Sequence, residues 1–199
     1  YDRGLGPAYA WIFPLGEGLY NVGVGSLYGV HRGFNHRALF ERFTSVFPEA
    51  RSLIAAGEPA SPLRSAPLRC GLDEEALRPG RRCLAAGECV ASTLPFTGEG
   101  VGKAMETGLL AADAVHAFLS GDEHGLDAYA VAVRRLKPRY RAYDAAHRLV
   151  DHPRLMDLAA WRLDHSPWLA GRLGAILREE DEDPGSLFSF GGLLTSFFR

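Results

Sequence analysis

The chain has little cysteine, and none of it is spaced for work. Cys70, Cys83 and Cys89 form no CxxC pair and leave one over. That excludes a disulfide framework and fits a reducing, cytoplasmic compartment. The seven histidines show no HExxH and no Cys/His ligand spacing, so no metal site is expected. Charge of one sign is also missing: 22 Lys and Arg against 24 Asp and Glu leave a net −2. No nucleic-acid partner is expected from that balance. No run reaches the roughly 18 apolar residues of a membrane span. The most apolar window, 187–198, is short and is broken by Gly191-Gly192. Neither a signal peptide nor a starting methionine opens the chain, which begins Tyr1-Asp2-Arg3. A trimmed chain or a piece of a longer protein is therefore expected.

What remains is ordinary globular composition, 47% hydrophobic and 23% charged over 199 residues. Residues 8–14 and 19–27 are aromatic and β-branched runs around Gly16-Glu17-Gly18, the pattern of a β-hairpin. Tyr9, Trp11 and Phe13 alternate, which places three rings on one face of the first strand. Leu39, Phe40, Phe43 and Phe47 predict a helix over 36–47, stopped by Pro48. Proline-rich 59–72 reads as extended, and 82–86 as a short buried strand. A helix is predicted from Glu99 to about Leu119, with Val101, Met105, Leu109, Ala112 and Val115 along one side. Helices are then expected at 125–150, 153–163, 167–180 and 185–197. The acidic run Glu179 to Asp183 reads as a solvated connection.

The segment Gly87 to Gly108 carries the most chemistry. It reads as a strand end, an acidic residue, an irregular loop and a glycine-rich helix start. Such a start offers bare N–H groups and a positive helix end to something electron-rich. A Walker A loop fails, because Thr97 and Ala104 stand where glycine and Ser or Thr are needed. A dinucleotide fingerprint fails as well: about ten residues separate strand and glycines, and no second strand follows. A glycine-eased turn with no ligand is the plain reading that stays open.

Glu88, Pro95, Thr97, Gly98, Glu99, Gly100, Val101 and Gly102, continuing to Ala104, Glu106 and Gly108, resemble one segment of FAD-dependent geranylgeranyl reductases and FixC-like dehydrogenases. In that family the segment runs GDAAxxxxPxTGEGIGxAxxSG. Pro7-Ala8-Tyr9-Ala10-Trp11-Ile12-Phe13-Pro14, with Asn21-Val22-Gly23-Val24-Gly25 downstream, is similar to the same family's YxWxFP block. The resemblance implies FAD as cofactor. The acidic position would meet the ribityl chain and the glycine turn the pyrimidine edge of the isoalloxazine. Here the usual aspartate is Glu88, and Leu94 precedes the proline where relatives often carry Asn. Tyr9, Trp11, Phe13 and Pro14 would line the wall of an isoprenoid tunnel.

By the same resemblance the chain is an α+β fragment of an α/β FAD-binding fold of the p-hydroxybenzoate hydroxylase type. Residues 1–65 would be part of a substrate domain, 66–120 the closing part of the FAD domain, and 121–199 a helical region. The N-terminal unit with its GxGxxG, which grips the ADP half of FAD, is absent from this sequence and is the expected partner. The implied activity is reduction of C=C bonds in a polyprenyl lipid or pigment by flavin hydride transfer. The reductant, NAD(P)H or ferredoxin, stays open, as does the proton donor. A flavin monooxygenase of the same fold and a non-catalytic lipid-binding or docking module are the alternatives. The basic run Arg134 to Arg141 and the terminal phenylalanines allow peripheral membrane contact, or a solvated face and a buried last helix.

Overall fold

The computed structural model describes residues 5, 8–26, 35–78, 80–150, 153–181, 184–187 and 191. The chain divides into two compact units, 1–67 with 150–157 and 68–149 with 158–199.

In the first unit β1 (Ala8–Gly16) pairs antiparallel with β2 (Leu19–Ser26). The register sets Tyr9 opposite Gly25, Trp11 opposite Gly23 and Phe13 opposite Asn21, slipping between Pro14 and Gly16. Gly16, Glu17 and Gly18 all take left-handed φ, 93°, 51° and 75°, so the expected turn chemistry forms the hairpin. Helix α1 (His36–Val46) starts at Asn35, whose side chain accepts from the Ala38 N–H at 3.0 Å. It buries Leu39 and Phe43 and packs on β2. Pro48 stops it, as expected, and also opens a second helix, α2 (Pro48–Ala56), that the periodicity did not show. Proline suits a first helical position because its missing N–H would have no partner there.

The second unit has a mostly helical frame. A 3-10 turn at Glu75–Leu77 and another at Gly87–Val90 lead into α3 (Val101–Leu119). Then come α4 (Gly125–Arg134), α5 (Lys137–Val150), α6 (Pro153–His165), α7 (Pro167–Leu177) and the short α8 (Pro184–Leu187). Two expectations are corrected. Residues 82–86 are not a strand: one isolated bridge joins Gly80 to Cys83, and the Ala85 N–H donates to Leu77 O at 3.0 Å. A strand needs a neighbouring ladder, and no named strand lies in this unit among the described residues. The single helix expected over 125–150 is broken at 135–136, because Pro138 lacks an N–H and its ring would strike the carbonyl of Arg134. The final helix was expected over 185–197; residues 188–190 and 192–199 lie outside the described residues.

Leu77, Val90, Leu94, Tyr129, Val133, Tyr140, Tyr143 and Ile176 form the buried centre of this unit. Each tyrosine hydroxyl is tied to backbone. Tyr129 donates to Ala85 O at 2.7 Å, Tyr143 to Ile176 O at 2.8 Å, and Tyr140 to Ser92 O. Among the described residues no helix is long and apolar enough to cross a membrane.

Burial raises the ionisation of all three phenols above the ordinary tyrosine range, Glu106 and Glu179 adding to the effect at Tyr140. The unfolded chain therefore loses these protons first. Their stabilisation is complete below about pH 10 and falls as pH rises towards the folded values. We predict that three of the seven tyrosines ionise only together with loss of helical circular dichroism above pH 10. Absorbance at 295 nm read beside the circular dichroism checks it. Seven independent phenols titrating near pH 10 with the helices intact would contradict it.

Candidate functional site

The residues from Ser92 to Gly102 form a loop knitted by its own backbone. The Leu94 N–H donates to Glu99 O at 2.8 Å, Gly98 N–H to Leu94 O at 3.1 Å and Thr97 N–H to Pro95 O at 2.9 Å. Phe96 and Gly98 turn the chain with φ of 72° and 69°. Pro95 is buried, Thr97 to Gly100 are half-buried, and Val101 and Gly102 are exposed at the start of α3. The loop and the first turn of α3 thus bring seven of the eight expected cofactor residues together.

Glu88, the eighth, is exposed on the 3-10 turn rather than at a strand end. Its Oε1 accepts from the Arg69 N–H at 3.3 Å, while Arg69 Nη1 donates to Cys89 O at 2.7 Å. The turn itself docks on α3: Gly87 N–H donates to Thr107 Oγ1 at 2.9 Å, and that hydroxyl donates to Lys103 O at 2.8 Å.

A Cβ on Gly100 would lie 2.8 Å from Thr93 Oγ1, inside the protein. The loop therefore needs that glycine with or without a ligand. The helix start is also not wholly bare, since Glu99 Oε1 accepts from the Gly102 N–H at 2.6 Å. A carboxylate there satisfies an orphan donor and complements the helix dipole. It leaves Glu99 Oε2 buried with no partner among the described residues, as is Ser92 Oγ.

The sequence reading missed Lys103. An ammonium in the first turn opposes the dipole, yet this side chain is buried, on α3's inner face. Its Nζ donates to Glu106 Oε2 at 2.9 Å and pairs with Glu179 Oε2 at 2.7 Å; Arg139 Nη1 reaches the same Glu179 oxygen at 3.4 Å. Burial works to lower the lysine's ionisation, but the bonds to Glu179 and Glu106 outweigh it and raise it overall. Glu179 is thus a clasp and not part of a solvated run, and Asp181 likewise holds Arg172 at 2.8 Å. The basic run is engaged too: Arg134 and Lys137 both bind Glu74. The signal available in the sequence was a lysine in the first turn of α3 with Glu106 three residues on.

In the first unit Tyr9, Trp11 and Phe13 stack as a ladder, with centroids 5.7 and 6.0 Å apart. Trp11 Nε1 donates to Asn21 Oδ1 at 2.8 Å. The rings lie across the opposite strand, where a Cβ on Gly23 would come 2.2 Å from Trp11 and one on Gly25 2.4 Å from Tyr9. Glycine in β2 therefore lets three rings lie flat on the hairpin. Phe13 and Pro14 are exposed at its outer end.

The Thr93–Gly100 contact is testable without any ligand. Gly100→Ala is expected to cost about 1–2 kcal/mol by crowding the loop. In a Thr93→Ala background the added cost should fall by at least half, as read from denaturant midpoints. Strictly additive costs would contradict the contact.

No family profile matches the chain, and no solved structure matches it. It is 36% identical over 109 residues to the menaquinone reductase of Mycolicibacterium smegmatis, a match covering 54% of this chain and 26% of that protein. Against the menaquinone reductase of Mycobacterium tuberculosis H37Rv it is 33% identical over 114 residues, 56% of this chain and 27% of the relative. The digeranylgeranylglycerophospholipid reductase of Thermoplasma acidophilum is 26% identical over 131 residues, 62% and 30% of the two chains. The matched stretch is thus less than a third of each relative's length. What this chain is similar to, over more than half of its length, is a set of reductases.

Proposed function

We propose that this chain is the flavin-closing and substrate-contacting part of an FAD-dependent oxidoreductase, of geranylgeranyl reductase type, that reduces C=C bonds of a polyprenyl group. In this reading it belongs to an α/β FAD-binding fold completed by a unit that holds the ADP half. The observation that carries the proposal is the loop Pro95–Gly102, half-buried, glycine-lined and ending on a helix start. Its buried Glu99 Oε2 lacks a donor. The pyrimidine edge of an isoalloxazine presents one N–H between two carbonyls, so it needs an acceptor flanked by donors. Glu99 Oε2 with the N–H groups of Gly100 and Val101 meets that need in kind, those of Gly98 and Glu99 being used within the loop. Glu88 would take a ribityl hydroxyl, with its one bond to Arg69 leaving acceptor capacity.

The flavin, when bound, supplies two-electron chemistry in which one alkene carbon receives hydride and the other a proton. The protein's part is to place the alkene and keep water away. The Tyr9–Trp11–Phe13 ladder offers a flat, stiff, apolar surface for that, at little cost in side-chain entropy. The names of the similar reductases, for menaquinone and for a digeranylgeranyl lipid, support a substrate of this class.

The test is anaerobic turnover of the full-length protein with chemically reduced flavin and a geranylgeranyl lipid. We expect product heavier by two hydrogens per bond reduced. Trp11→Ala should raise KM about tenfold while flavin content is kept. Failure to reduce the alkene, together with oxygen-dependent hydroxylation, would overturn the reading in favour of a monooxygenase.

A further inference from the structure

We infer that the outward face of α3 is the seat of a second folded unit of the same polypeptide, packed on it through an apolar stripe. Helix α3 has two apolar faces: Leu110, Ala111 and Ala114 pack on the core beside the buried Lys103 and Thr107. A second apolar set faces out, with Val101 78%, Met105 65%, Leu109 67%, Val115 40% and Leu119 77% exposed. At 100° per residue these five fall within about a third of a turn of one another, with Gly108 and Ala112 between them. A Cβ on Gly108 would meet nothing, so the stripe is smooth and open at its middle. Nineteen residues carry it along about 28 Å. A continuous apolar strip of that length marks a contact surface.

The occupant is argued from length and charge. If 109 matched residues are 26% of the Mycolicibacterium relative, that protein has about 420 residues, more than twice the 199 here. A relative of that size holds ample chain for another domain. The stripe starts at Val101, the first residue after the glycine loop, so whatever lies on it also reaches the proposed cofactor seat. That is where the unit holding the ADP half of FAD has to stand; to this extent the inference rests on the proposed function. An anionic bilayer is disfavoured, because the helix's one lysine is buried and its exposed flank carries Asp113 and His116.

Met105, in the middle of the stripe, is a natural probe, and no substitution is needed. The full-length polypeptide is treated with dilute peroxide, folded and in urea, and the peptide bearing Met105 is followed by mass spectrometry. A covered stripe gives oxidation at least tenfold slower when folded than in urea. A rate within about twofold of the urea value overturns the inference. Protection that vanishes on hundredfold dilution, or that needs added anionic vesicles, also overturns it, in favour of a second copy or a membrane. Bound flavin, read by absorbance in the same sample, separates the two claims. Flavin present with Met105 reactive sinks only the docking surface; Met105 protected with no flavin sinks only the cofactor reading.

Discussion

The second unit depends on the ammonium of Lys103. It lies one turn inside α3, against the helix dipole and out of water, and persists because Glu106 and Glu179 hold it. Breaking a buried pair by removing one partner costs about 3–5 kcal/mol where both charges are buried. Here both glutamates keep partial contact with solvent, so the lower end or less applies. The consequence is geometric. Glu179 follows α7 and also meets Arg139 on α5, so one carboxylate ties both the end of α7 and α5 to the first turn of α3. The glycine loop is attached to that turn and takes its position from it.

The same arrangement explains why α3 carries polar groups on its inner face. Thr107 points in to accept from Gly87 and so brings the turn bearing Glu88 against the helix. Leu110, Ala111 and Ala114 share that inner face against the core, and a second apolar set, from Val101 to Leu119, is left on the outer face. The hydrophobic periodicity of α3 was legible, and it gave the right helix. It could not say which face was inside, because periodicity locates a stripe and not what covers it.

Local chemistry was the best-read part. The hairpin followed from its alternation and its Gly-Glu-Gly turn, and the ring ladder from residues two apart. What escaped were pairings between distant positions. Nothing near Gly100 in sequence marks Thr93 as its neighbour, and nothing in the acidic run marks Glu179 as the partner of Lys103 rather than of water. Residues 82–86 failed for a related reason: their composition suits a strand, but strand structure belongs to a sheet, not to a segment. Pro48 shows the converse, where one residue's missing N–H settled a boundary locally; Pro138 carried the same signal, and the expected single helix over 125–150 passed over it.

The central claim is that the loop before α3 seats the isoalloxazine. The most direct measurement is amide NMR of full-length protein labelled with 15N-glycine, titrated with FAD. The account predicts that the Gly98 and Gly100 amides move as FAD binds, while Gly16 and Gly18 of the hairpin turn stay in place. FAD bound with Gly98 and Gly100 unmoved, or no binding at all, would contradict it.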